Sequence, residues 1–155
     1  MQRIEVDAGQ MFLVLSMDAV AGDEPFSADE LREYVTAGRA WVADDEEGRP
    51  IAYALVKWAD RTAHLEQVSV DPVAAGRRLG AALVERAVTW ARDHGSPALT
   101  LTTFADVPWN APYYERLGFR RLADAEVTPE LRAIRAEEAA HGLDVWPRLA
   151  MRRDL

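Results

Sequence analysis

The sequence predicts an α/β fold in which an antiparallel strand meander feeds one parallel strand pair. Short β-rich runs at 41–43, 51–58 and 64–70 are separated by turn-forming segments, which is the pattern of a meander. An amphipathic stretch then leads to a further β-rich run at 98–104, the order strand, crossover helix, parallel strand.

The first part of the chain reads as a short strand over Arg3 to Val6, followed by an apolar helix from Met11 to Val20. Asp7 and Gln10 resemble a capping pair at its start, and Gly22 to Pro25 ends it. Ser27-Ala28-Asp29-Glu30 is a clearer capping box, and Leu31, Tyr34 and Val35 give the next helix one apolar face before Gly38. The loop from Asp44 to Pro50 is acidic and contains Gly48, as a hairpin connection should. Ala59 to Thr62 forms the second turn, and Asp71-Pro72 closes the strand His64 to Val70, because proline cannot continue a ladder.

In the following helix Leu79, Leu83, Ala87, Val88 and Ala91 recur with the helical period, and His94-Gly95 ends it. Beyond the run 98–104 the pattern predicts a helix over Trp109 to Leu117 stopped by Gly118, then a strand over Phe119 to Leu122. Thr128-Pro129-Glu130 opens another helix running to His141, and Val145 to Arg152 reads as the last strand.

A chain of 155 residues, 49% hydrophobic and 28% charged, is the size and composition of one compact unit, here spanning 1–155. Its apolar runs are too short to cross a bilayer and the start lacks a signal-peptide layout, so a cytoplasmic location with no membrane partner is expected. A net charge of −8 argues against nucleic-acid binding. There is no cysteine, and the three histidines lie far apart without metal-ligand spacing, so no metal is expected.

Gly76, Gly80, Arg77 and Arg78 lie between a strand and the start of an amphipathic helix. Small residues and unpaired helix-initial amides make an anion cradle. On the strand, strict alternation puts His64, Glu66, Val68 and Val70 on one face and Leu65, Gln67 and Ser69 on the other. A carboxylate in a covered strand is costly unless paired or used, which singles out Glu66 as a general base with a raised pKa, with His64 as the alternative.

With Val68-Ser69-Val70-Asp71-Pro72 leading into the glycine turn and Tyr114-Glu115-Arg116-Leu117-Gly118-Phe119 about 40 residues later, the chain resembles the GNAT superfamily of acyl-CoA-dependent N-acyltransferases. The resemblance covers nearly the whole chain and implies a mixed central sheet whose parallel strands splay apart, with helices on both faces. It implies acetyl-CoA as cosubstrate, lying between the strands His64 to Val70 and Ala98 to Phe104. The backbone of Val68, Ser69 and Val70 would pair with its pantetheine, and that of Gly76, Arg77, Arg78, Leu79, Gly80 and Ala81 would hold its pyrophosphate. Tyr114 matches the tyrosine that protonates the leaving thiolate.

The turn departs from the family pattern at Ala75, where a polar residue is usual, and at Arg78, where a glycine is usual. Asn110 lies four residues before Tyr114, whereas the family's asparagine lies seven before it, and is read as a helix cap or a cofactor contact. The acceptor implied is a primary amine of a small molecule or peptide, acetylated by direct attack in a ternary complex. The alternative is a catalytically weak acyl-CoA-binding or regulatory module. The C-terminal edge strand is free to pair between subunits, which allows a homodimer.

Overall fold

A computed structural model describes residues 1–155. The chain is α/β, with a six-stranded sheet in the order β1-β2-β3-β4-β6-β5. In chain order the elements are α1 (Gln2–Gly9), a 3-10 segment (Gln10–Leu15), α2 (Asp18–Ala21), α3 (Ala28–Thr36), β1 (Ala40–Asp44), β2 (Pro50–Ala59) and β3 (Thr62–Val70). Then come α4 (Leu79–Asp93), β4 (Ala98–Phe104), α5 (Ala111–Arg116), β5 (Arg120–Arg121), α6 (Pro129–Ala140) and β6 (Arg148–Asp154). No helix is long and apolar enough to cross a membrane. The chain divides into two compact units, one of Met1–Lys57 with Leu65–Ala87 and the other of Trp58–His64 with Val88–Leu155.

In the first unit, β1 and β2 pair antiparallel with Val42 opposite Tyr53, and Tyr53 and Leu55 point to a core that holds Ile4 of α1 and Leu31 of α3. The predicted strand over Arg3 to Val6 is instead helix α1. Its four residues carry no period that separates helix from strand; in the helix Ile4 is buried against Leu31, Tyr53 and Leu55, and Arg3 pairs with Asp7 one turn on at 2.9 Å. Asp7 is therefore a residue of α1 rather than a cap for the next helix. The predicted helix Met11 to Val20 becomes the 3-10 segment and the four-residue α2, broken at Ser16, whose φ is +55°. The Ser27 capping box forms as predicted, with the Glu30 N–H donating to the Ser27 hydroxyl and the Glu30 carboxylate accepting from the Ser27 N–H at 2.8 Å.

The second unit is built on β4 and β6, which pair antiparallel from Ala98 opposite Asp154 to Phe104 opposite Arg148. Parallel pairing of β3 with β4 sets Ala63 opposite Leu99 and His64 opposite Thr100. The last strand starts at Arg148 rather than Val145, because a 3-10 turn at Leu143–Val145 and then Pro147 occupy the approach. Helix α5 starts at Ala111 rather than Trp109, with Asn110 as its N-cap and Pro112 in its first turn, and β5 spans only Arg120–Arg121 of the predicted 119–122.

Helix α6 is held to this unit by charge. Glu138 accepts from Arg148 at 2.8 Å, from Arg135 at 3.0 Å and from the Thr102 hydroxyl of β4. Burial alone would push the Glu138 carboxyl up, but these donors, Arg148 foremost, hold it below the usual carboxylate range. The Arg148 guanidinium also lies over the Phe104 ring, 4.4 Å from its centre. At the N-terminus of α6, Glu130 and Asp60 each accept the other's backbone N–H.

Asp60 and Arg61 both have positive φ, +48° and +61°, the conformation of a two-residue type I′ hairpin turn. Arginine has no means of easing that conformation, so Arg61→Gly should stabilise the protein by about 0.5–1 kcal/mol, read as a higher urea midpoint at constant slope. Glu138→Ala should cost about 3 kcal/mol in the same measurement, since it leaves the buried Arg148 guanidinium without an acid, while Arg135 keeps Asp144. The Glu138 pKa is depressed in the fold, so its contribution is complete above the ordinary carboxylate range and disappears as pH falls through the folded value.

Candidate active site

In the first unit the cradle forms around two left-handed residues. Asp71 caps a 3-10 turn at Pro72–Ala74 by accepting the Val73 N–H at 3.1 Å, and its carboxylate is held by Arg3 at 2.7 Å. Gly76 has φ +80° and Arg78 has φ +59°, after which α4 begins. Backbone bonding resumes where the Ala82 N–H donates to the Arg78 carbonyl at 3.0 Å. The N–H groups of residues 76–81 meet no acceptor in the protein, and they sit at the positive end of a 15-residue helix. Residues 76–78 are exposed and 79–81 partly so, which leaves the amides open to an anion. Such a row of donors fits a pyrophosphate.

On β3 Glu66 pairs with Lys57 of β2 at 2.7 Å, and Gln67 donates to the Ser69 hydroxyl at 2.8 Å. Just past the strand Asp71 meets Arg3 of α1. Glu66 has 19% of its side chain exposed, and its charge is matched by a lysine.

Tyr53 is fully buried, and its hydroxyl donates to Glu5 Oε2 at 2.6 Å. The same oxygen accepts the Phe26 N–H at 3.3 Å. No sequence pattern singles out Glu5. The available signal is Tyr53 itself, a tyrosine inside the apolar run 51–56, which requires a polar partner.

In the second unit His64 is buried, with 1% of its surface exposed. Its Nδ1 lies 3.0 Å from the Thr100 hydroxyl, and that hydroxyl is 3.2 Å from the Ala63 carbonyl. The Thr100 hydroxyl thus bridges the His64 ring and the Ala63 carbonyl. Ser96 fixes the backbone beneath, accepting the Ala63 N–H at 2.8 Å and donating to the Ala98 carbonyl at 2.7 Å.

Tyr114 lies on α5, edge-on to Tyr113 and Phe119 with ring centres 5.5 and 5.7 Å away. Gly118, at φ +86°, turns the chain so that buried Phe119 folds back, and the Phe119 N–H donates to the Tyr114 carbonyl at 3.1 Å. Burial raises the Tyr114 pKa well above the ordinary phenol value, with Tyr113 adding to it, so the side chain is a proton donor at neutral pH. Asn110 caps α5 by its backbone and donates from Nδ2 to the Thr103 hydroxyl at 2.7 Å. Its Oδ1 is buried and accepts no hydrogen bond. No group of histidines and acids stands close enough to hold a metal ion.

The family described as the acetyltransferase (GNAT) family matches residues 10–119. The chain belongs to this family of acyltransferases. Among solved structures it is similar to a nourseothricin acetyltransferase, at 25% identity and TM-score 0.56, covering 75% of this chain and 64% of that one. It is also similar to a Mycobacterium tuberculosis protein in complex with CoA, at 20% identity and TM-score 0.66, over 84% of this chain and 83% of that one. An N-acetylglutamate synthase from Neisseria gonorrhoeae, complexed with coenzyme A and N-acetyl-glutamate, aligns at 16% identity and TM-score 0.70 over 99% of this chain. The chain spans less than two thirds of the nourseothricin enzyme and 32% of the synthase.

Arg78 holds by strain a conformation that glycine adopts freely. Arg78→Gly should raise thermal stability slightly, by about 0.5 kcal/mol after the entropy of the new glycine is counted. Coenzyme A affinity by calorimetry should stay within about threefold, because the amides are unchanged.

Proposed function

We propose that residues 1–155 act as an acetyl-CoA-dependent N-acetyltransferase that acetylates a primary amine of a small molecule or peptide. The observation that carries this is the run of open amides at 76–81 at the head of α4, in a chain of this family. Acetyl-CoA would supply an activated acyl group as its thioester. Gly76, Arg77, Arg78, Leu79, Gly80 and Ala81 hold its pyrophosphate through backbone N–H groups, and the two arginines add charge. The backbone of Val68, Ser69 and Val70 pairs with the pantetheine in the manner of an added strand. The unfilled Asn110 Oδ1 is an acceptor for a cofactor N–H or hydroxyl.

The chain has no cysteine to carry the acyl group, so the amine attacks directly. It must lose a proton to do so. Glu66, acting through water, is the first candidate to receive it, and His64, whose ring titrates in the neutral range as a class, is the alternative. Tyr114, kept neutral by burial, holds the proton that the departing thiolate takes.

Coenzyme A should raise the melting temperature, and thiol release from acetyl-CoA over a panel of amines should show turnover. Stabilisation without turnover on any amine would make the protein an acyl-CoA-binding module instead. Neither effect would end both readings. Tyr114→Phe should lower kcat at least about tenfold and leave coenzyme A affinity nearly unchanged, checked by single-turnover kinetics and calorimetry.

A further inference from the structure

We propose that Lys57 is an acceptor in its own right: its Nζ takes an acetyl group from acetyl-CoA within the same molecule, which makes Lys57 a site of self-modification. This rests on the acetyltransferase reading and adds to it a modification of the protein by its own cosubstrate.

Lys57 is the only lysine among residues 1–155. Apart from three histidines, every other basic side chain is an arginine, whose guanidinium stays protonated and is no nucleophile for an acyl group. The one side-chain primary amine therefore lies against the residue named above as the first candidate base. Lys57 Nζ is 2.7 Å from Glu66 Oε2, and the two side chains are 25% and 19% exposed. A general base must lie within hydrogen-bond reach of the proton it removes, and this nitrogen meets that condition with no water between. An amine arriving from solution meets a carboxylate already paired with an ammonium.

β2, β3 and α3 hold the pair in place. Lys57 is two residues beyond Leu55 and four beyond Tyr53 on β2, so alternation sets it on the face of those two buried side chains. Tyr34 of α3 packs against the cluster that contains Tyr53 and Leu55. Burial foremost, and then the Glu66 charge acting through space, pushes the Tyr34 hydroxyl up to about 12. The Arg39 guanidinium lies over the Tyr34 ring, 5.3 Å from its centre, and donates to the Val56 carbonyl at 3.3 Å. All of these residues belong to the first unit, as do the backbone segments assigned to the cosubstrate.

The order along β3 sets the direction. Glu66 comes first, then Val68 to Val70, proposed for the pantetheine, and then the amides at 76–81, proposed for the pyrophosphate. A cosubstrate laid along that order has its acyl end toward Glu66, which is two residues, or about 7 Å, from Val68. In the step proposed, the Lys57 ammonium gives a proton to Glu66, and the neutral Nζ attacks the thioester carbonyl carbon. A C–N bond forms and the C–S bond breaks. The nitrogen loses two protons in all, one passing through Glu66 to water and the other ending on the coenzyme A sulfur. Acetyl-Lys57 is neutral, so Glu66 loses this cationic partner.

The unsubstituted protein, incubated with acetyl-CoA and no added amine, should gain the mass of one acetyl group, and peptide mapping should place it on Lys57 rather than on the amino terminus. The rate should saturate with acetyl-CoA and be independent of protein concentration, because transfer occurs within one molecule. Glu66→Gln should slow it at least about tenfold, whereas a lysine that reacts only as an accessible amine would react as fast or faster once released from its acid. A second readout needs no transfer. With lysine carbon-13 labelled at Cε the protein has one lysine signal, and coenzyme A should shift it. Turnover of added amines with Lys57 left unmodified would overturn the proposal and leave the acetyltransferase reading standing, as would a rate of self-acetylation indifferent to Glu66→Gln. A lysine signal that saturating coenzyme A leaves in place would also overturn it. Absence of both mass gain and thiol release would end both readings.

Discussion

The first unit depends on the fixed position of the Asp71 carboxylate just past β3. It accepts the Val73 N–H at 3.1 Å, which starts the turn leading to the open amides at 76–81, and it pairs with Arg3 at 2.7 Å, which holds α1 in place. Beside it Glu66 pairs with Lys57 of β2 at 2.7 Å, and the buried Tyr53 hydroxyl of β2 donates to Glu5 of α1 at 2.6 Å.

Charge is distributed by the same economy. Surface ion pairs in the chain, such as Arg32 with Asp29, are exposed and contribute little. Those that are covered hold elements in place: Arg3 with Asp71 for α1, and Glu138 with its two arginines for α6. Glu5 stands apart because its donors are a phenol and an amide, both neutral. Tyr114 shows the complementary case, an acid kept in its neutral form by burial and by a second ring beside it.

Much of the frame is legible in the sequence because it obeys local rules. The Ser27 capping box, the strand 98–104 and the helix after Thr128 all lie where their sequence signals put them. The family is legible from the spacing of the cradle and Tyr114. The first twenty residues are not, since Arg3 to Val6 is too short for a period and Met11 to Leu15 is apolar on every side. Asp60, Arg61 and Arg78 also escape, because positive φ is read from glycine, and here other residues adopt it. Glu5 gives no local signal because its role depends on Tyr53, 48 positions away.

Arg77 and Arg78 stand exposed on a non-repeating loop between a 3-10 turn and a helix, with backbone amides committed to nothing in the protein. Proteases that cut after arginine need an accessible segment, and these two arginines lie on one. The loop proposed to hold an anion is therefore also open to cleavage, and a ligand held there would shield it.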